Sequence, residues 1–222
     1  MKQSRRQFLQ STGAAVGSMT LPKLLSGASH EEAPEKPMNI LYLCSDQQHW
    51  EAQGFVDALA KESTVFKNAF CTTPQCSPSR SSMLTGFYPH TTGMMNNNNA
   101  SGGTELALPT IGSLLQDAGY KTALFGKWHL GDDPIANGGW DEDFKKGPDP
   151  KVKDEGLWEN TIIVNTSDHG DMDTFHRLVF KGPFMYEHMM RIPLSIRIPG
   201  VTGPKETDYQ WVNVDTVPTL LD

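Results

Sequence analysis

The 222-residue sequence has no apolar run suited to crossing a membrane: its most apolar early stretch is broken by Gly13, Gly17, Pro22 and Lys23. Cysteine is scarce. The three present, Cys44, Cys71 and Cys76, exclude a fully paired disulfide framework, and their spacing fits no zinc module. Positive charge is also short, with a formal net charge of −7, which argues against a nucleic-acid-binding surface. Any anionic ligand would therefore need cationic side chains gathered at one site. There is no internal repeat. At 37 % hydrophobic and 20 % charged residues, what remains is an ordinary globular chain, enough for one sizeable domain or two small ones.

The start of the chain carries a recognisable pattern. Ser4-Arg5-Arg6-Gln7-Phe8-Leu9-Gln10 resembles a twin-arginine export signal, followed by a weakly apolar stretch and the small residues Ser26-Gly27-Ala28. Residues 1–28 are read as a signal cleaved near Ala28, 29–37 as a polar linker, and 38–222 as the folded domain. The expected location is periplasmic or secreted.

Asn39-Ile40-Leu41-Tyr42-Leu43-Cys44 is a continuous apolar run that ends in Ser45-Asp46. It predicts a strand buried on both faces, as in a parallel sheet covered by helices. Thr161-Ile162-Ile163-Val164-Asn165-Thr166 repeats the design and delivers Ser167-Asp168-His169-Gly170. Both aspartates thus stand at strand C-terminal ends, where open α/β sheets carry their sites. Helical periodicity is read over 56–61 and 110–118, the second stopped by Gly119. Further strands are expected at 121–125 and 192–198, and a helix start at 215–221. Residues 96–103 and 138–150 read as loops.

The most specific signal is Cys76-Ser77-Pro78-Ser79-Arg80, followed by Leu84-Thr85-Gly86. A cysteine in a proline-punctuated loop leads into a helix start, where backbone N–H groups favour anions. Arg80, one turn on, has a guanidinium able to fork onto an oxyanion. This stretch resembles the signature of the formylglycine-dependent sulfatases, a family within the alkaline-phosphatase-like superfamily. There the cysteine is oxidised after translation to formylglycine. The resemblance runs from Asn39 to Asp222. It implies an α/β fold, with a mostly parallel central sheet flanked by helices.

Carried over residue by residue, the resemblance makes Asp46, Gln47, Asp168 and His169 the metal set, for Ca²⁺ or Mg²⁺. Many relatives have Asp-Asp and Asp-Asn at these two places, so the site here carries less negative charge, and the His169 imidazole would admit a softer ion. Gly126-Lys127-Trp128-His129-Leu130-Gly131 is similar to a family segment in which Lys127 contacts sulfate and His129 positions the formylglycine hydroxyl. In an extended stretch the two would share one face. Lys181 maps to a second sulfate-contacting lysine, and Arg191 to a structural anchor. His176 often has a counterpart in related sequences; His30, His49, His90 and His188 are read as outside the chemistry.

The mechanism so implied runs through hydrated formylglycine. One hydroxyl attacks sulfur and the alcohol departs; the second then expels sulfate by elimination. The substrate would be a sulfated carbohydrate or aryl sulfate. A formylglycine-generating or anaerobic sulfatase-maturating enzyme would be the protein partner. By the same comparison three pieces are reduced: a T-P-N element near Phe55, a stretch between Asp141 and Asp154 that carries a leaving-group histidine, and a C-terminal subdomain. A phosphonate or phosphate ester hydrolase of the superfamily, or an inactive glycan-binding relative, would share much of the pattern.

Overall fold

The apolar run that begins at Asn39 forms the strand the sequence predicts, but at the margin of its sheet. In this computed structural model the described residues are 37–52, 57–98, 106–131, 133–144, 153–201 and 206–222; the signal and most of the linker lie outside them. Strand β1 (Asn39–Ser45) pairs in parallel with β5 (Thr161–Ser167), in register from Asn39 opposite Thr161 to Ser45 opposite Ser167. The full order of this five-stranded sheet is β1-β5-β6-β2-β7, with β2 at Thr64–Phe70, β6 at Leu194–Arg197 and β7 at Glu206–Val212. Strand β6 is antiparallel to both neighbours, whereas β2 and β7 are parallel. Four strands therefore run one way and β6 the other. Residues of β5 are almost all buried, as expected of a central strand. Those of β1 are mostly half-buried, because it is terminal in the sheet.

Helix α2 (Cys76–Thr85) packs on one face with α4 (Ile111–Asp117) and α7 (Thr216–Leu221). The cluster between them contains Met83, Leu84, Met94, Ile111, Trp128, Leu130 and Val217. A second cluster joins Ala69, Cys71, Val164, Ile192, Leu194 and Trp211, and Tyr42 touches both. Such burial stabilises at about 25 cal/mol per Å² of apolar surface. Helix α4 begins where the sequence places it: the Thr110 hydroxyl accepts from Gly112 N–H at 3.1 Å, and the Ser113 hydroxyl accepts from Thr110 N–H at 3.1 Å. Gly119, at φ 90, ends it.

Short helices α1 (Asp57–Ala60), α3 (Pro89–Thr92), α5 (Pro134–Gly138) and α6 (Glu187–Met190) fill the connections. The expected strand at 121–125 is shortened to β3 (Ala123–Phe125), which pairs in parallel with β4 (Glu142–Phe144). Strand β4 falls inside a segment read from sequence as a loop. Its three residues are too few for a period-2 pattern to register.

Candidate active site

The two predicted strand ends meet. Ser167 donates its hydroxyl to the Ser45 carbonyl at 3.1 Å, and Ser45 donates its own to Thr166 at 3.1 Å. The chain then turns at Gln47, φ 64, whose backbone N–H donates to Asp168 Oδ1 at 2.9 Å. Asp46 and Asp168 are thereby fixed side by side.

Helix α2 brings residue 76 to them. Gln75 is extended (φ −137, ψ 140) and offers no side-chain cap; the Ser77 N–H donates instead to Asn97 Oδ1 at 3.1 Å. The far end of α2 explains the Leu84-Thr85-Gly86 element. Gly86 has φ 75, and a Cβ there would lie 3.2 Å from Val217 Cβ. Gly170 is tighter still: a Cβ would sit 1.9 Å from the His188 carbonyl oxygen.

One guanidinium ties the parts together. Arg80 Nε donates to Asp168 Oδ2 at 2.9 Å, Nη2 to Asp46 Oδ1 at 3.3 Å, and Nη1 to the Lys127 carbonyl at 2.7 Å. It was expected to fork onto an oxyanion; in the structure it clamps both carboxylates and the 126–131 segment. Both the Arg80 and Asp168 side chains are buried, so the pair is held by packing and hydrogen bonding as well as charge.

Three side chains converge on Cys76 Sγ: Lys181 Nζ at 2.5 Å, Lys127 Nζ at 3.2 Å and His169 Nε2 at 3.3 Å. Burial raises the Cys76 thiol, but hydrogen bonds from His169, Lys181 and Lys127 outweigh it and bring the pKa down to about 7. Cys44 and Cys71, without such partners, are pushed up to about 12, chiefly by burial. Burial also works against the Asp46 charge, yet Lys127, bonded to it at 2.7 Å, and Arg80 hold its carboxyl well below the usual range.

His129 departs from the extended geometry assumed for the Lys127–His129 pair, with φ 60. Both its ring nitrogens are buried and, among the described residues, have no hydrogen-bond partner. Burial and the charges of Lys127, Arg80 and Lys181 lower its pKa, which favours the neutral ring. Arg191 anchors structure as read: it stacks 3.9 Å from the Trp50 ring and donates to Lys67 O and Glu187. His176 stacks on Tyr186 at 4.8 Å, and His49 and His188 are 6.0 Å apart. His30 lies outside the described residues.

The donor set fits a divalent cation. Cys76, Asp168 and His169 offer ligand atoms within 4.8 Å of one another. The Lys181 ammonium stands among these donors, 3.1 Å from Gln47 Oε1 and 3.3 Å from His169 Nε2, so a positive centre already occupies their focus. Two residues were not anticipated from sequence. Asp171 accepts from Gln47 Nε2, which leaves the Gln47 oxygen turned to the site; its place two residues after His169 was the available signal. Asn213 donates to the Ser79 carbonyl at 3.2 Å and hydroxyl at 2.8 Å, while Ser79 bonds the Asp168 carbonyl. No local pattern announces Asn213. A cleft of about 620 Å³, lined by Asp46, Gln47, His49, Asp173 and Phe180, opens beside the site.

Comparison with known proteins supplies the family and the fold. The family model described as Sulfatase matches residues 38–146 and 150–222. The chain is 43 % identical over 110 residues to an ulvan-active sulfatase from Formosa agariphila, a stretch covering 45 % of this chain and 21 % of that protein. It spans between 21 % and 26 % of the length of the first curated relatives it matches. In fold it is similar to the PsFucS1 sulfatase from Pseudoalteromonas sp., with TM-score 0.67 and 17 % identity over 84 % of this chain and 67 % of the other. It is also similar to a phosphonate monoester hydrolase from Silicibacter pomeroyi, with TM-score 0.70 and 16 % identity over 83 % and 72 % of the two chains. The mixed sheet flanked by helices is that alkaline-phosphatase-like architecture.

Proposed function

The chain belongs to the sulfatase family, and from that premise we propose that it hydrolyses a sulfate ester, using formylglycine made from Cys76 as the nucleophile. The observation that carries this reading is the convergence of Lys127, Lys181 and His169 on the Cys76 sulfur, with both strand-end carboxylates beside it. In an acidic protein, this is the local positive charge that an anionic substrate requires.

Asp46, Gln47, Asp168 and His169 would hold the cation, Ca²⁺ or Mg²⁺. When bound, such an ion lowers the pKa of a coordinated hydroxyl and offsets charge on sulfuryl oxygens. The chain's own groups do the rest. Lys127 and Lys181 bind the remaining sulfuryl oxygens, and losing one such preorganised contact costs about 3–4 kcal/mol in the barrier. Arg80 bridges Asp46 and Asp168, each of which would offer a carboxylate oxygen to the ion. His129, kept neutral, is suited to accept a hydrogen bond from the nucleophilic hydroxyl and orient it.

The substrate proposed is a sulfated carbohydrate or an aryl sulfate, met in the periplasm or outside the cell after export through residues 1–28. A formylglycine-generating or anaerobic sulfatase-maturating enzyme would act on Cys76. The test is peptide mass spectrometry across Cys76 on chain co-expressed with such an enzyme, alongside parallel assays of an aryl sulfate and a phosphonate monoester. Conversion with preferential sulfate release supports the reading. Preferential phosphonate cleavage would move the chain to that branch of the superfamily, which the imidazole of His169 in the metal set also suits. Conversion with binding but no turnover would make it a glycan-binding relative.

A further inference from the structure

The donors around residue 76 differ in hardness, and one side chain decides the balance. In the unconverted chain Cys76 Sγ lies 3.3 Å from His169 Nε2, and Asp168 completes a trio of buried ligand residues within 4.8 Å. His169 Nδ1 lies 2.8 Å from the Gly170 carbonyl oxygen, which can only accept, so Nδ1 carries a proton and Nε2, 3.3 Å from the sulfur, is the ring atom that can ligate once it gives up any proton it shares with the sulfur. The Lys181 ammonium sits at the centre, 2.5 Å from Sγ and 3.3 Å from Nε2.

Thiolate, imidazole and carboxylate are the ligands of zinc, with bonds of about 2.3 Å to sulfur and about 2.0–2.1 Å to nitrogen. At near-tetrahedral angles those lengths set sulfur and nitrogen about 3.3–3.6 Å apart. The separation here, 3.3 Å, falls in that range without rearrangement of the backbone. Calcium and magnesium are hard ions that take oxygen ligands and gain nothing from the sulfur.

We infer that, before conversion, Cys76, His169 and Asp168 form a zinc site, which is dismantled when the oxidant of the maturation enzyme takes two electrons from Cys76. The Cβ–S bond gives way to an aldehyde C=O with oxygen from water, while the sulfur leaves as sulfide. The cleft thus passes from a soft-metal to a hard-metal site as the protein matures. The zinc site stands on the geometry of the thiol form, and its dismantling rests on the formylglycine reading above. On binding, an Sγ–Zn bond forms and the thiol proton leaves to solvent. The ion enters past Asp46 and Gln47, which line the cleft, and Lys181 withdraws from the donors it now occupies.

Cobalt(II) added to the full, unconverted chain tests sulfur ligation directly, through thiolate-to-metal charge-transfer absorption. Zinc titrated against a chromophoric indicator gives the affinity. The band is expected in the parent chain, retained in Cys71→Ser and absent in Cys76→Ser. Zinc affinity should fall by more than about 100-fold in Cys76→Ser and in His169→Ala. It should rise in Lys181→Met, which removes the competing ammonium without touching a ligand. Circular dichroism confirms that each variant is folded. A folded parent chain without the band, or a zinc affinity that Cys76→Ser leaves unchanged, overturns the zinc site. Protein shown by mass spectrometry to carry formylglycine should lose zinc affinity and keep calcium affinity. If it holds zinc as before, the dismantling is refuted. These readouts involve no turnover, so failure of the sulfatase assay is a separate result.

Discussion

The sheet holds two parallel pairs, β1–β5 and β2–β7, and they end in different chemistry. The first pair is regular along all seven residues and delivers Asp46, Asp168 and His169. The second shifts register between Phe66 and Asn68 and delivers Cys71 and Asn213. One end is charged and satisfied by Arg80, Lys127 and Lys181; the other is neutral and satisfied by hydrogen bonds. They meet through Ser79, which accepts from Asn213 and bonds the Asp168 carbonyl. A reactive strand end thus leans on an inert one, and the helix that carries Cys76 is pinned by both.

The largest effect that sharpens this contrast is on turnover. Cys76→Ala should abolish aryl sulfate hydrolysis by matured protein and Cys76→Ser should leave little, whereas Cys71→Ser should retain it. Full activity in Cys76→Ala, read as release of the aryl alcohol, would erase the distinction between the two ends.

Next comes stability. Asp168→Ala leaves the Arg80 guanidinium buried without its nearest carboxylate, and urea unfolding should show a loss of about 3–5 kcal/mol. Breaking the exposed Lys67–Asp208 pair, 2.8 Å long on the β2–β7 side, should cost less than about 1 kcal/mol. Equal losses would mean that burial does not separate the two regions. Asn213→Ala strands the Thr72 N–H, which Asn213 Oδ1 accepts at 3.2 Å, and removes the donor to the Ser79 hydroxyl. It should cost about 1–3 kcal/mol and lower kcat through a displaced α2, with calcium affinity by calorimetry unchanged.

The smallest effect is spectroscopic. In metal-free, unconverted protein, ultraviolet thiolate absorbance should report Cys76 titrating near about 7, with Cys44 and Cys71 silent until about 12. Folding lowers the Cys76 pKa from 9.0 to about 7, so its contribution to stability is fully present above pH 9 and is lost as pH falls through 7.

What the sequence made legible follows the range of the interactions. Asp46 and Asp168 were readable because each ends an apolar run, and Cys76 because its neighbours in sequence are its neighbours in the loop and helix. The Arg80 clamp was not, since its partners lie 34 and 88 positions away in the chain. Strands β2 and β7 were missed because Lys67, Asn68 and Asp208 interrupt the alternation that reveals a strand. Ser77, Ser79, Ser81 and Ser82 look like surface residues but are wholly buried. Ser81 and Ser82 satisfy themselves within the helix, donating to the Pro78 carbonyl at 2.8 and 3.2 Å. Strands β1 and β5 and the glycine stop of α4 were within reach of pattern; the register of β2–β7 was not.

Helix α2 presents no side to water: every residue from Cys76 to Thr85 is buried, and Cys76 retains only 1 % of its exposure. A protein-sized oxidant cannot get its own active site around a sulfur enclosed in this way. On the formylglycine reading, folding would act as a deadline. A chain whose cysteine is processed before the helix docks would become the aldehyde form, and one that folds first would remain a thiol until it opens again.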